Sequence, residues 1–375
     1  MLTRLYLSGF KSISAAKPME LRLGKINVLL GANGSGKSNL LSLFAMLNHA
    51  NNGMLQSYVA MQGAATLLHH GPQITSEILV RLSFAENDKE CEYVLRLKYG
   101  LPERLYIADE YVDVAEEASG ASRWQLYSDA AETGLRNNLA NAYASMAFSG
   151  MTGVYAFQFN NTAVGSPIRL SSGVYDCAAL RNDGGNLAAY LRQLKTVEEY
   201  KPYYRRIVAF VRSVVPQFWD FRLDEVNNGM VWLTWHDRVS PNYVCGPQQF
   251  SDGSIRFIAL AAALLSPPKL MPRTILLDEP ELGLHPHAID KLVGMIKIAG
   301  SSSQVIVATQ APRLVDGFEP EQVRLMETDR AGGESVVVHP DTNMLSAWIG
   351  HYSTSELWEK NVLASPSGLA SGGRG

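Results

Sequence analysis

Hydrophobic and polar positions alternate along this chain in patterns that change several times. Leu2–Leu7 alternates around polar residues, and Ile26–Leu30 is an unbroken apolar run. These are the patterns of a half-buried and a fully buried strand. A glycine-rich loop, Gly31 to Gly36, follows the second run, and Lys37–Leu47 then takes helical spacing. Glu77–Phe84, Cys91–Tyr99, Arg104–Val112 and Arg123–Tyr127 read as strands parted by polar turns such as Glu86-Asn87-Asp88, which predicts a mainly antiparallel segment. Residues 130–185 are rich in Ala, Asn, Ser and Gly and predict loops and short helices. Asn186–Val215 is helical in pattern, with a break near Lys201-Pro202. Asp220–Val226 and Met230–Trp235 predict a hairpin turned by Asn227-Asn228-Gly229. A helix over 254–265, a strand Thr274–Leu277, a helix His287–Ala299 and a strand Gln304–Ala308 then alternate as in a parallel α/β sheet. A second hairpin, Val323–Met326 with Ser335–His339, and a short helix precede a Ser- and Gly-rich tail from Ser365. There is no internal repeat and no long heptad arm.

Composition narrows the class. With 375 residues, 46% of them apolar, and a formal charge of −3, the chain can bury a full core and carries no global basic footprint. Charge therefore gives no sign of nucleic-acid binding, although a local basic patch stays open. Cys91, Cys177 and Cys245 are far apart, which argues against a disulfide framework or a zinc site and fits a reducing cytoplasm. The N-terminus reads as a strand rather than a signal peptide. The longest apolar candidate, Phe257 to Leu265, falls well short of the ~20 residues of a membrane span, so a soluble, cytoplasmic protein is expected.

The chemistry lies in four stretches. Gly31-Ala32-Asn33-Gly34-Ser35-Gly36-Lys37-Ser38 fits G-x-x-x-x-G-K-[ST] in full, between a strand and a helix. The glycines let backbone N–H groups approach phosphate oxygens, and the following helix aims its positive end at the same place. Lys37 is expected at the β- and γ-phosphates of ATP and Ser38 on Mg²⁺; Asn33, Ser35 and Asn39 complete the candidate binding set. In Thr274-Ile275-Leu276-Leu277-Asp278-Glu279-Pro280 an apolar strand ends in two acids. Asp278 is expected in the Mg²⁺ shell and Glu279 beside the attacking water. Ser251, Asp252 and Gly253 open a helix and offer either a second phosphate grip or a plain helix cap. Gln304-Val305-Ile306-Val307-Ala308-Thr309-Gln310 is a strand ending in Gln310, a residue able to hydrogen-bond a γ-phosphate or a water but unable to act as acid or base; polar loop filler is the alternative. His285 and His287 have metal-like spacing but no third ligand nearby, which favours a chance pair.

The order of these motifs resembles the AAA/ABC-type predicted ATPases related to RecF, SMC and the overcoming-lysogenization-defect proteins. The AAA_21 family is closer still, through Gly9-Phe10-Lys11-Ser12, Asp183-Gly184-Gly185-Asn186-Leu187-Ala188, Phe250-Ser251-Asp252-Gly253, Glu279-Pro280-Glu281-Leu282-Gly283-Leu284-His285-Pro286 and Leu357-Trp358-Glu359-Lys360-Asn361. The resemblance implies an α/β fold: an ABC-type P-loop ATPase head with a mixed β-sheet and a helical lobe carrying the signature loop. It implies a single head over 1–364, with an N-terminal lobe 1–130, an insertion and helical lobe 131–270 and a C-terminal lobe 271–364, before a flexible tail 365–375. Phe250–Ser254 resembles the ABC signature loop, which completes the site of a second copy, with Asp252 where Gly is usual. Gln310 stands where a switch histidine is usual. Gln158 either matches the glutamine that ABC proteins place near Mg²⁺ or is an exposed strand residue.

Relatives commonly serve in anti-phage defence or DNA maintenance, often beside a nuclease-like partner. The expected function is thus an ATPase whose ATP-driven head dimerisation controls a separately encoded nuclease or toxin effector. A DNA-clamping ATPase of repair or maintenance is the alternative. Residues 320–375 are too short for a built-in nuclease domain. Glu77–Tyr127 and Trp348–Leu363 are the expected docking surfaces, with Trp348, Tyr352 and Trp358 as either aromatic anchors or core.

Overall fold

The computed structural model describes residues 1–116, 120–127, 131–329, 333–339 and 353–359. The chain forms two compact units, Met1–Val154 together with the residues from Pro320 onward, and Tyr155–Glu319. Trp348, Tyr352 and the tail 365–375 lie outside the described residues.

The first unit is built on a six-stranded antiparallel sheet, in the spatial order Met19–Arg22, Leu2–Ser8, Glu77–Glu86, Lys89–Gly100, Arg104–Glu116 and Gly120–Tyr127. The four strands expected between residues 77 and 127 are all present. Glu77–Glu86 shows why they form: alternate residues Ile78, Val80, Leu82 and Phe84 are buried, as a sheet with one covered face requires. The same unit also pairs Ile26–Leu30 parallel to Val323–Thr328, which pairs antiparallel with Ser335–Val338. Helix Lys37–Asn51 follows the first of these strands.

Two helices of this unit, Leu55–Gln62 and Ala142–Thr152, have weak sequence signals and strong local supports. The first has its N-terminal amides of Leu55 and Gln56 bonded to the Glu132 carboxylate at 2.7 and 3.0 Å, a cap from far along the chain. The second is capped by Asn141, whose Oδ1 accepts from the amides of Tyr143 and Ala144.

The second unit holds the parallel strands Thr274–Asp278 and Gln304–Thr309, with helices Leu187–Thr196, Lys201–Val214, Asp252–Leu264 and Pro286–Ala299. The helical stretch breaks at 197–200, and Pro202 occupies the first turn of the new helix, where its missing N–H costs nothing. The hairpin expected over 220–235 is interrupted. Glu225–Val226 pairs with Met230–Val231 around left-handed Asn228 and Gly229, while Phe218–Arg222 pairs with Thr234–Asp237 in a different sheet. The break at Trp232–Leu233 lets Phe218, Phe221, Trp235 and Phe250 collect in one aromatic cluster, with Trp235 and Phe250 stacked at 4.9 Å. No helix among the described residues is long and apolar enough to cross a membrane.

One buried acid pins the first unit together. Glu110, fully buried, accepts from the Tyr93 hydroxyl at 2.8 Å, the Gly134 amide at 2.9 Å and the Thr133 hydroxyl. It thereby ties the loop before helix Ala142–Thr152 to the middle of the sheet. Burial holds its carboxyl above the ordinary 4.5, so the folded chain keeps a proton that the unfolded chain releases. Stability from this group is fully present below pH 4.5 and is lost as pH rises through the folded value. Urea denaturation of the wild type and Glu110→Gln between about pH 4 and pH 8 is expected to show their stability difference moving in the variant's favour as pH rises; a constant difference would mean that the carboxyl titrates alike in the folded and the unfolded chain.

Candidate nucleotide site

In the first unit, the buried strand Ile26–Leu30 delivers the chain into the loop Gly31–Gly36. A Cβ at Gly31 would lie 2.3 Å from the Met326 carbonyl and 2.5 Å from Ser35 Oγ, so the strand end is pressed against its neighbour. Gly34 and Gly36 have φ of +82° and +97°, a region that side chains rarely enter. Gly36 also sits where a Cβ would meet Ser335 Oγ at 2.2 Å and Ser12 Oγ at 3.1 Å. Lys37, with 4% of its surface exposed, opens the helix and donates its ammonium back to the Gly31 and Ala32 carbonyls at 2.7 and 2.9 Å. Ser35 Oγ is buried without a hydrogen-bond partner. Asn33, Gly34 and Ser38 are exposed. This cradle of glycines, one orphaned buried hydroxyl and one buried ammonium fits a polyanion.

Asn39 has a more structural setting than expected. Its side-chain amide donates to Ser12 Oγ, which in turn lies 2.5 Å from Ser335 Oγ, and the Ser335 amide donates to the Ser12 carbonyl at 2.9 Å. Residues from the start and the end of the chain thus brace the loop from behind. Sequence reasoning missed Ser335 entirely, and only the Gly9–Ser12 stretch hinted at Ser12.

In the second unit, strand Thr274–Asp278 is buried up to half-exposed Asp278. Glu279 follows with φ +45°, left-handed for a residue with a side chain, and its N–H is held by the Ala308 carbonyl at 2.8 Å. A non-glycine residue in this region costs on the order of 1 kcal/mol and persists where neighbours fix it. Glu281 is the buried acid: Oε1 accepts from the Thr309 hydroxyl, Oε2 has no partner, and burial, with nearby Glu279, pushes its carboxyl up. Of the two, Glu279 is the acid open to a ligand. Gln310 is half-buried at the end of strand Gln304–Thr309. Gln158 is exposed, its main-chain N–H donating to the Asn182 carbonyl at 2.8 Å.

Ser251 caps helix Asp252–Leu264, its hydroxyl accepting from the Ser254 amide at 3.1 Å. A Cβ at Gly253 would lie 2.4 Å from the Gly283 carbonyl, so this loop abuts the turn after Glu279. The aspartate at 252 has a partner: Arg169 donates to it at 2.8 Å and lowers its pKa. Buried Arg169 also binds the carbonyls of Thr162, Pro247 and Phe250. Arg169 left no sequence signal, because its acceptors are main-chain atoms. His285 caps helix Pro286–Ala299 by accepting from the His287 amide, and His287 Nε2 lies 3.2 Å from the Ser213 carbonyl. Among the described residues, no group of three or more His, Cys, Asp or Glu could hold a metal ion.

Residues 211–316 match the AAA_21 family, described as "AAA domain, putative AbiEii toxin, Type IV TA system". No curated protein matches the sequence. Among solved structures, an SMC head bound to the C-winged helix domain of ScpA is 17% identical with a TM-score of 0.56, over 90% of this chain and 96% of that one. The SMC head domain from Thermotoga maritima is 15% identical with a TM-score of 0.50, over 91% and 99%. An Smc head with an extended coiled coil, bound to the C-terminal domain of ScpA derived from Pyrococcus furiosus, is 16% identical with a TM-score of 0.56, over 93% and 98%. At these identities the likeness is one of fold. The fold is that of an ABC-type ATPase head similar to the SMC heads, and the AAA_21 resemblance read from the sequence stands over residues 211–316.

Gly36→Ala is expected to destabilise the chain by about 1–3 kcal/mol, through both its φ and the clash with Ser335. Ser335→Gly in the same chain relieves only the clash and should restore part of the loss in urea denaturation. No recovery in the double variant would place the whole cost in the backbone.

Proposed function

We propose that this chain binds ATP at the loop 31–38, hydrolyses it between two copies of the head, and passes the resulting conformational state to a separately encoded effector. The observation that carries the reading is the phosphate loop, where left-handed glycines, the unpartnered Ser35 hydroxyl and the buried Lys37 ammonium form a cradle suited to phosphate. Lys37 would exchange its two carbonyl acceptors for phosphate oxygens. Ser38 and Asp278, with Gln158, would supply the hard oxygen ligands that suit Mg²⁺, which when bound neutralises charge on the phosphates. Glu279, held by its amide in the orientation described, would accept a hydrogen bond from the attacking water, and Gln310 would orient that water without exchanging a proton. Ser251–Gly253 would meet the nucleotide of the second copy.

The partner reading draws on resemblance. The matching family carries a toxin–antitoxin description, and two similar heads were solved with a bound protein domain. The described residues include no second catalytic constellation, so an effector such as a nuclease or toxin is assigned to another chain, in a cytoplasmic anti-phage role. Duplex affinity that falls steeply with salt would instead favour the DNA-clamping alternative.

Lys37→Ala is expected to lose ATP affinity or turnover by at least about a hundredfold, and Glu279→Gln to bind ATP yet stall as a dimer. Steady-state hydrolysis and light scattering check both; turnover within a few-fold of wild type in Lys37→Ala would overturn the site. Mixing inactive Ser251→Arg with inactive Lys37→Ala should restore part of the activity, because one site of each mixed dimer keeps both of its parts. Mixed dimers without activity would argue against a shared site.

A further inference from the structure

The second unit contains a buried cation that the reading above leaves without a task. Arg256 lies on helix Asp252–Leu264, five residues after Ser251, with only 6% of its surface exposed. Its guanidinium is spread over three main-chain carbonyls. Nε donates to Phe159 at 3.1 Å, one terminal nitrogen to Asn160 at 3.2 Å, and the other to Leu282. No carboxylate makes a salt bridge with it among the described residues; Asp252 acts on it only at longer range. A buried guanidinium without a salt bridge is expensive, and polar acceptors must compensate it.

The three acceptors belong to two loops, and each loop carries a residue assigned to the ATP site. Phe159 and Asn160 directly follow Gln158. Leu282 belongs to the turn that begins at Glu279, where the Leu282 amide donates to the Glu279 carbonyl at 3.1 Å and Gly283 has φ +75°. The helix bearing Arg256 starts with Ser251–Gly253, and Gly253 abuts the Gly283 carbonyl. One side chain therefore joins the segments of Gln158, Ser251 and Glu279.

We infer that Arg256 is a positioning residue that sets the register of these three segments, so that Glu279 is aligned for hydrolysis only while its guanidinium is in place. The inference rests on the proposed ATPase reading and concerns alignment rather than nucleotide affinity, since the phosphate loop lies in the other unit. A lysine is not an adequate substitute. Its single ammonium cannot reproduce the fixed fork by which three guanidinium nitrogens reach carbonyls on two separate loops.

The test uses the full chain with Arg256→Lys, which keeps the charge, and Arg256→Met, which keeps the bulk. Equilibrium binding of a fluorescent ATP analogue, steady-state kcat and KM, and amide hydrogen exchange would be measured for each. Analogue affinity is expected to stay within about threefold of wild type, while kcat falls at least about tenfold in both variants. Amides of 158–161 and 280–284 should exchange faster. A kcat within about twofold of wild type, an affinity that falls in step with kcat, or unchanged exchange would overturn the inference. Should Arg256→Met fail to fold, Arg256→Lys carries the test alone. Wild-type chain lacking turnover that depends on Lys37 would overturn the ATPase reading itself, and with it this inference, before any Arg256 variant is compared.

Discussion

Main chain pressed against main chain is the constraint on which the candidate site residues of each unit depend. At Gly31 a Cβ would fall 2.3 Å from the Met326 carbonyl, and at Gly253 another would fall 2.4 Å from the Gly283 carbonyl. Neither approach is possible with a side chain present. In the first unit this contact sets where the buried strand releases the phosphate loop. In the second it sets how the Ser251 loop lies on the turn after Glu279. The polar groups proposed to meet phosphate and water are hung from these two backbone contacts.

Loops shaped by close backbone approach leave carbonyls that can still accept a donor. In the second unit two arginines meet that need. Arg169 takes the carbonyls of Thr162, Pro247 and Phe250, and Arg256 takes those of Phe159, Asn160 and Leu282. Guanidinium suits this task because its donors are fixed in a plane and keep their charge when buried. The Asp252 carboxylate, at the position where the signature-loop resemblance leads one to expect glycine, is drawn into the same arrangement through Arg169.

How much of this was legible in the sequence depended on the range of the interaction. Ile26–Leu30, the antiparallel run from Glu77 to Tyr127 and the parallel strands around Asp278 announced themselves, because their burial follows a local period. The glycine-shaped path of loop 31–38 was legible too, since its signal is confined to eight consecutive positions. Helix Leu55–Gln62 was not, because its cap is Glu132; nor was the break at Trp232–Leu233, which serves an aromatic cluster drawn from distant segments. Arg169, Arg256 and Ser335 were silent for a related reason. Their partners are backbone atoms or small hydroxyls, which any sequence supplies, and only the folded path brings them together.

The brace behind the phosphate loop has a consequence for how the protein is made. Ser12 and Ser335 are 323 positions apart, yet they touch each other and Gly36 sits against both. A ribosome releases residue 12 long before residue 335, so the nascent loop has its glycines and its lysine but not its backing. The finished cradle exists only after the hairpin that carries Ser335 has emerged. A chain cut short by a stalled ribosome or a nonsense codon before the hairpin that carries Ser335 would lack this support.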